Sequence, residues 1–368
     1  MSVTVAELIA RYDPTLPLEA ASTIPASWYT DPRVHALERE TTFARNWQFA
    51  ARADQVREPG QFATCDIAGE PILVVRGDDG VLRGFFNVCR HHAAAVMTDP
   101  QGCARNLRCP YHGWTYTLQG ALKGTPQFMD EAGFDREANG LVPVDVAEWE
   151  QWVFVRLQRG GQTIAETFGD ALLAELGALR LDTLHWFERR HYLFDCNWKV
   201  FVDNYLDGGY HVPHVHQGLN SVLDFKRYTV ENGPRHCLQS SPMVQGEDAS
   251  FAAVRGGDRA LYYWCHPGFM LNWYEGKMDT NIVRPLGVDR TEVIFDFWFS
   301  DVSDAARGQN QASVAAGDLV QQEDVAICHS VQRGLQSRAY DTGRLSARRE
   351  AGEHLFHRLL HADLSAGL

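Results

Sequence analysis

The 368-residue sequence predicts an α+β protein in which a small all-β domain precedes a larger α+β domain. Three observations predict it. From Phe62 to Leu157 short apolar runs are cut by turn residues, and Asp79-Gly80 stands between two of those runs as a hairpin turn. After Gly160-Gly161 the texture mixes: Ala165 to Leu179 has helical character, whereas Tyr262 to Tyr274 and Glu292 to Phe299 are aromatic-rich and strand-like. A hydrophobic content of 45% over this length is enough for about two domains with a sizeable core. The expected division is an N-terminal helical segment over 1–45 that packs on the last domain, a β domain over 46–160 and an α+β domain over 161–368.

Residues 30–47 open the helical content. Val34, Leu37, Thr41, Phe43 and Trp47 recur at near-helical spacing, and Asp31 before Pro32 supplies an N-cap with proline at the first helical position. The 34 Lys and Arg against 47 Asp and Glu give a net charge of −13, which disfavours a broad phosphate-binding surface and so excludes nucleic acid as a partner. No apolar run approaches the roughly 20 residues of a membrane span. The first residues lack a basic stretch followed by a long apolar one. A cytoplasmic protein without membrane contact is expected. Eight cysteines at positions 65, 89, 103, 109, 196, 237, 265 and 328 form no disulfide framework, so thiols serve chemistry or packing.

The first constellation lies in the β domain. Cys89-x-His91, seventeen residues, then Cys109-x-x-His112 place one cysteine and one histidine on each of two loops beside strand-like runs. Two thiolates and two imidazoles suit a tetrahedral zinc site or a 2Fe-2S cluster with cysteine on one iron and histidine on the other. Zinc fingers group their cysteines apart from their histidines. Here each loop donates one of each, which favours the cluster. Pro110 and Gly113 make the second loop a tight turn whose amides can point at sulfide.

The second constellation lies between Asn197 and His216. His211, His214 and His216 follow Asp203 and Asp207, matching a mononuclear non-haem iron site with two histidines, one carboxylate and open positions. On a regular helix His211 and His214 share a face, while His211 and His216 lie about 140° apart. A third ligand is expected downstream: in Leu319 to Leu335 the helical stripe 320, 324, 327, 331, 335 is apolar except for Asp324. An internal salt bridge is the alternative for that carboxylate. Glu323, about 100° away, reads as its solvated neighbour. Asn204 is a candidate donor beside the ligands, and Trp264, Phe269, Trp273 and Tyr274 are candidate pocket residues, although strand alternation sends half of such a set into the core. No Gly-x-Gly-x-x-Gly follows a strand, so no dinucleotide site of that kind is present.

These loops resemble the Rieske domain of ring-hydroxylating and related non-haem iron oxygenases. The similarity runs from Ser27-Trp28-Tyr29-Thr30-Asp31-Pro32 through Asn197-Trp198-Lys199-Val200-Phe201 to Gln332-Arg333-Gly334-Leu335. In the stretch Asp203 to Pro213 it is similar to the choline monooxygenase-like members. The resemblance implies a terminal oxygenase alpha subunit whose catalytic domain is an antiparallel sheet surrounded by helices. It implies that Cys89, His91, Cys109 and His112 hold a Rieske 2Fe-2S cluster. Ala94 and Tyr111 stand where Rieske proteins of respiratory complexes have an extra disulfide, and Trp114 where they have a serine that raises the potential, so a low-potential cluster is implied. The family's His-x4-His selects His211 and His216 with Asp324 for a mononuclear Fe(II), leaves His214 outside, and requires the helix to break, at Pro213. Asp207, here spaced Asp-x-x-x-His with Gly208 in the usual place, is implied to bridge His211 to a Rieske histidine of a neighbouring subunit, with Asp203 as fallback. A homotrimer follows from such a bridge. Electrons are implied to come from NAD(P)H through a separate flavin and iron-sulfur reductase or a ferredoxin, for which 368 residues leave no room; the acidic charge suits a partner docking through a basic patch. The substrate is a small molecule, choline or another quaternary ammonium or N-methyl compound, with an aromatic acid hydroxylated by a mono- or dioxygenase as the alternative. A Rieske electron carrier needs only the β domain, and the second metal site argues against it.

Overall fold

A computed structural model describes residues 3–128, 131–244 and 256–368. The chain forms two compact units, Phe43–Glu166 and Met1–Thr42 together with Thr167–Leu368.

The first unit is all-β. Its strands are β1 (Gln48–Arg52), β2 (Gln61–Ile67), β3 (Glu70–Arg76), β4 (Leu82–Phe86), β5 (Gln101–Cys103), β6 (Leu107–Arg108), β7 (Thr115–Tyr116), β8 (Leu122–Gly124), β9 (Pro143–Trp149) and β10 (Trp152–Arg156). Seven of them form an antiparallel sheet in the order β1-β10-β9-β4-β3-β2-β5, and β6-β7-β8 form a small separate sheet. The Asp79-Gly80 turn joins β3 to β4, with Gly80 at φ +76°. Continuous apolar runs such as Ile72 to Val75 and Trp152 to Val155 are buried on both faces. A second cluster, including Leu73, Phe85, Leu107, Trp114, Tyr116 and Leu118, is the floor under the two loop tips.

The second unit has an antiparallel sheet of β11 (His185–Phe194), β12 (Thr229–Asn232), β13 (His236–Pro242), β14 (Arg259–Cys265), β15 (Phe269–Tyr274), β16 (Lys277–Gly287) and β17 (Arg290–Phe299), ordered β11-β17-β16-β15-β14-β13-β12. Its helices are α1 (Val5–Ile9), α2 (Ala26–Thr30), α3 (Pro32–Glu38), α4 (Ile164–Phe168, crossing from the first unit), α5 (Asp170–Ala178), α6 (Trp198–Leu206), α7 (Val212–Val215), α8 (Gln217–Asn220), α9 (Arg307–Leu335) and α10 (Ala351–Ser365). Among the described residues no helix is long and apolar enough to cross a membrane.

Local details depart from the sequence expectations for identifiable reasons. Asp31 caps α3 as expected, accepting from Arg33 N, but the helix runs only to Glu38 and then widens into a π-turn over Arg39–Phe43. The helical stretch at Ala165 to Leu179 is two helices, because Gly169 sits at φ +83° between them. The N-terminal segment is held to α6 by side chains: Lys199 Nζ donates to Glu38 Oε1 at 2.5 Å, Trp198 Nε1 donates to Glu38 Oε2 at 2.9 Å, and Tyr29 Oη donates to Asp203 Oδ2 at 2.6 Å.

Candidate functional site

In the β unit, Cys89 and His91 follow β4, and Cys109 and His112 lie between β6 and β7. Backbone bonds close both loops: Cys89 N to Ala94 O (2.8 Å) and Ala93 N to Cys89 O (3.0 Å), then Cys109 N to Trp114 O (2.9 Å) and Gly113 N to Cys109 O (3.1 Å). Gly113 makes the second turn possible at φ +75°. Asn87 pins the first loop, its Oδ1 accepting from Val96 N and Met97 N at 3.0 Å each. Both sulfurs are buried and His112 is exposed, with the His91 and His112 ring centroids 4.7 Å apart.

This arrangement fits a cluster ligated unequally at its two irons. The Cys109 sulfur faces Cys89 and receives the amides of Tyr111 and His112, while burial, the larger effect, pushes its pKa up. His91 Nδ1 is buried with no hydrogen-bond partner, an orphan that an iron would satisfy. Burial, then His92 and His112, holds the His91 imidazole below its ordinary pKa, in the neutral form that binds metal. Trp114 stacks on His91 at 4.6 Å and 7°. The sequence reading missed Tyr116. Its hydroxyl accepts from Arg90 N at 3.0 Å and lies 3.4 Å from Cys89 Sγ, so its own proton is available to that sulfur.

The second site is built by α6, the turn after it, α7 and α9. Asn197 caps α6, accepting from Lys199 N at 3.1 Å. The helix ends at Leu206, and Gly208 and Gly209, both at φ +68°, turn the chain. A side chain at Gly208 would collide with the Arg349 backbone carbonyl. Asp207 organises the turn: Oδ1 accepts from Tyr210 N (3.0 Å), and Oδ2 accepts from His211 N (2.9 Å) and lies 2.7 Å from His211 Nδ1. The expected break at Pro213 is therefore corrected. Pro213 sits in the first turn of α7, where a missing amide costs no helical bond, and the glycines make the break.

His211, His216 and Asp324 each offer a ligand atom within 4.8 Å of the others. His214, in contrast, is exposed. Asp324 is buried, accepting from Asn204 Nδ2 at 2.8 Å on Oδ1 and from Gln321 Nε2 at 3.0 Å on Oδ2. His216 Nε2 stands 3.1 Å from Asp324 Oδ1. Burial pulls the His216 pKa down, but Asp324 and Glu323 outweigh it and leave it raised. One carboxylate, Asp324, facing the His216 imidazole, with the His211 imidazole beside them, is a donor set suited to a divalent cation.

Three expectations need correction. The α9 stripe is not the buried one: Ile327 and Val331 are exposed, and the inward face runs through Val314, Gly317, Gln321, Asp324, Cys328 and Leu335. It is partly polar because it lines the site. Glu323 is not a solvated bystander, since its Oε2 lies 2.6 Å from His216 Nδ1. Asp203 does not reach His211; Tyr29 and His357 Nε2, at 3.0 Å, take its carboxylate.

A cleft of about 770 Å³, part of it open to solvent, lies over these residues. Tyr205, Tyr228, Tyr262 and Tyr274 line it, with Phe201 and Phe295. Asp279 also lines it, its Oδ1 accepting from Asn272 Nδ2 and Asn281 Nδ2 at 2.8 Å each. Of the four expected pocket residues only Tyr274 is among the lining. Phe269 and Trp273 alternate to the other face of β15, and Trp264, two residues beyond Tyr262 on the same face, packs on Phe356 at 5.6 Å. Tyr205 and Tyr228 were missed; Tyr205 adjoins Asn204, but nothing local marks Tyr228.

Residues 46–139 match the family model of the Rieske [2Fe-2S] domain, and residues 181–366 match that of the ring hydroxylating alpha subunit (catalytic domain). The chain is 39% identical to the chloroplastic choline monooxygenase of Arabidopsis thaliana, an alignment covering 98% of this chain and 87% of that protein. It is 31% identical to the carnitine monooxygenase oxygenase subunit of Escherichia coli (strain K12), over 89% of this chain and 88% of that one. Among solved structures, a quaternary ammonium Rieske monooxygenase in complex with L-carnitine superposes with a TM-score of 0.83 at 26% identity, covering 100% of both chains. Naphthalene 1,2-dioxygenase from Rhodococcus sp., at 21% identity and a TM-score of 0.77 over 93% of this chain and 94% of that one, shares the fold. With both domain types matched in order on one chain, and the loops and histidine turn built as described, the chain belongs to the alpha subunits of the Rieske non-haem iron oxygenases, oxidoreductases that use O2 and work with a reductase or ferredoxin partner.

Proposed function

We propose that this chain hydroxylates a small quaternary ammonium or N-methyl cation of the choline type, with a cluster domain over 46–160, a catalytic domain over 161–368 and the helical segment 1–45 packed on the latter. Cys89, His91, Cys109 and His112 hold the 2Fe-2S cluster, and His211, His216 and Asp324 hold the iron. When bound, these groups supply reductive activation of O2, in which one oxygen atom enters a substrate C–H bond and the other leaves as water at the expense of two electrons and two protons. Asn204 and Gln321 fix the Asp324 carboxylate, and Asp207 fixes His211 and bridges it to a Rieske histidine of a neighbouring subunit in a trimer.

The observation that carries the substrate class is the tyrosine-walled cleft beside the three ligands, with the Asp279 carboxylate in its wall. Each tyrosine face attracts a desolvated cation by about 0.5–2 kcal/mol. The relatives named for choline and carnitine, and the solved structure with L-carnitine, point to the same class. No disulfide joins any of the eight cysteines, and the six outside the cluster suit the reducing cytoplasm.

The test is NADH and O2 consumption with a donor reductase across choline, L-carnitine, benzoate and 3,3-dimethyl-1-butanol, the uncharged isostere of choline. Turnover of an N-methyl cation, with the isostere bound at least about tenfold more weakly, is expected. Preference for benzoate or for the isostere would overturn the reading. Light scattering should give three times the 41.4 kDa chain mass.

A further inference from the structure

The carboxylate next to Asp324, Glu323, meets His216 on the edge of the ring opposite the ligand set. His216 is 2% exposed, and its ring is held at both nitrogens by consecutive residues of α9: Glu323 Oε2 lies 2.6 Å from Nδ1, and Asp324 Oδ1 lies 3.1 Å from Nε2. Consecutive helical residues point about 100° apart. Asp324 therefore meets the ring on its inner edge, and the longer Glu323 side chain reaches around to the outer edge. An ionised carboxylate only accepts, so the Glu323 contact puts a hydrogen on Nδ1 and turns the Nε2 lone pair toward His211 and Asp324. Asp207 treats His211 the same way at 2.7 Å on Nδ1.

We propose that Glu323 is the positioning residue of His216: it fixes the ring rotation and the tautomer that present Nε2 to the mononuclear metal, and its negative charge strengthens Nε2 as a donor. Carboxylate partners of metal-binding histidines typically account for 10–100-fold in metal affinity. The proposal rests on the ligand set His211, His216 and Asp324 given above. Glu323 does not touch substrate or the reacting atoms; it acts through His216.

The experiment is equilibrium dialysis of the cluster-loaded protein, stripped of its mononuclear iron, against Co(II), with cobalt measured by elemental analysis so that the cluster iron does not interfere. Parent, Glu323→Gln, Glu323→Leu, His216→Ala and Asp324→Ala are compared, with visible absorbance of the cluster and thermal unfolding of the cobalt-free proteins recorded alongside. Glu323→Leu should weaken Co(II) binding by about 10–100-fold. Glu323→Gln, whose amide oxygen still accepts from Nδ1 but carries no charge, should fall between Leu and the parent. Cluster absorbance and the unfolding temperature without cobalt should not move, which a merely structural role for Glu323 would not produce. A Co(II) affinity in Glu323→Leu within twofold of the parent overturns the proposal. If leucine prevents folding, the Gln variant decides, and an affinity equal to the parent's overturns it. Undiminished binding in His216→Ala or Asp324→Ala sinks the ligand set itself, a result distinct from failure at Glu323 alone.

Discussion

Lys199 and Glu38 are both fully buried and form an ion pair at 2.5 Å, so cutting either partner strands a charge in the interior. Burial pushes the Glu38 carboxyl up, but the Lys199 charge, with hydrogen bonds from Lys199 and Trp198 and with His35 3.6 Å away, holds it below its ordinary 4.5. Burial pulls the Lys199 ammonium below its ordinary 10.5 against the pull of Glu38 and Asp203. In Lys199→Met the stranded carboxyl escapes its penalty by taking a proton. At pH 7 that limits the loss to about 3.4 kcal/mol, at about 1.36 kcal/mol per pH unit above 4.5. In Glu38→Gln the stranded ammonium must give one up, a limit of about 5 kcal/mol by the same rule from 10.5. The signs then diverge. The Lys199→Met deficit should shrink to under about 1 kcal/mol at pH 5, and the Glu38→Gln deficit to about 2 kcal/mol at pH 9. The double variant Glu38→Leu/Lys199→Met should lie within about 2 kcal/mol of the parent, because an apolar pair of similar volume needs no desolvation. Urea unfolding followed by tryptophan fluorescence at pH 5, 7 and 9 measures all three. Equal deficits at every pH, or a double variant as damaged as both singles together, would refute the reasoning.

His216→Ala should lose the mononuclear iron while His214→Ala keeps it, giving about two and three irons per chain by elemental analysis; the reverse result would reassign the ligand pair. Tyr116→Phe removes the hydroxyl 3.4 Å from Cys89 Sγ and should lower the cluster's reduction potential by tens of millivolts, since one hydrogen bond is worth about 1 kcal/mol; an unchanged potential in an EPR-monitored titration counts against that contact. Gly208→Ala places a side chain against the Arg349 carbonyl at φ +68° and should destabilise by at least about 2 kcal/mol and lose mononuclear iron with the cluster spectrum intact; wild-type iron content would show that the turn adapts.

The cluster ligands were legible from their spacing, whereas the choice of His216 over His214 came from the family resemblance and ran against helical geometry. Cys89-x-His91 and Cys109-x-x-His112 lie on two loops of one β unit, the first after β4 of the large sheet and the second between β6 and β7 of the small one, and Asp324 stood out as the one acid in its stripe. The periodicity was misleading about the rest of that stripe, however: the helix turns its ligand-bearing face inward, burying Gln321 and Gly317 and exposing Ile327 and Val331, so hydrophobic period marks the wrong face. The pocket was less legible still. Tyr205 comes from a helix, Tyr228 from the segment before β12 and Tyr262 and Tyr274 from paired strands, a convergence that depends on the sheet order and on no local pattern.

The histidine turn shows how spacing and geometry can differ without conflict. In the Asp-x-x-His spacing of most aromatic-ring members, the acid precedes the first iron histidine by three residues; here Asp207 precedes His211 by four. On a continuous helix that extra residue would rotate the carboxylate by about 100° around the axis and away from the imidazole. The chain is not helical there. Gly208 and Gly209 at φ +68° fold the added residue into a turn, whose amides at Tyr210 and His211 are taken up by the Asp207 carboxylate itself. That capping holds Oδ2 at 2.7 Å from His211 Nδ1 despite the altered spacing. The two glycines and the acid therefore work as one device, and a change to any of the three should move His211 before it disturbs His216, which α9 holds independently through Glu323 and Asp324.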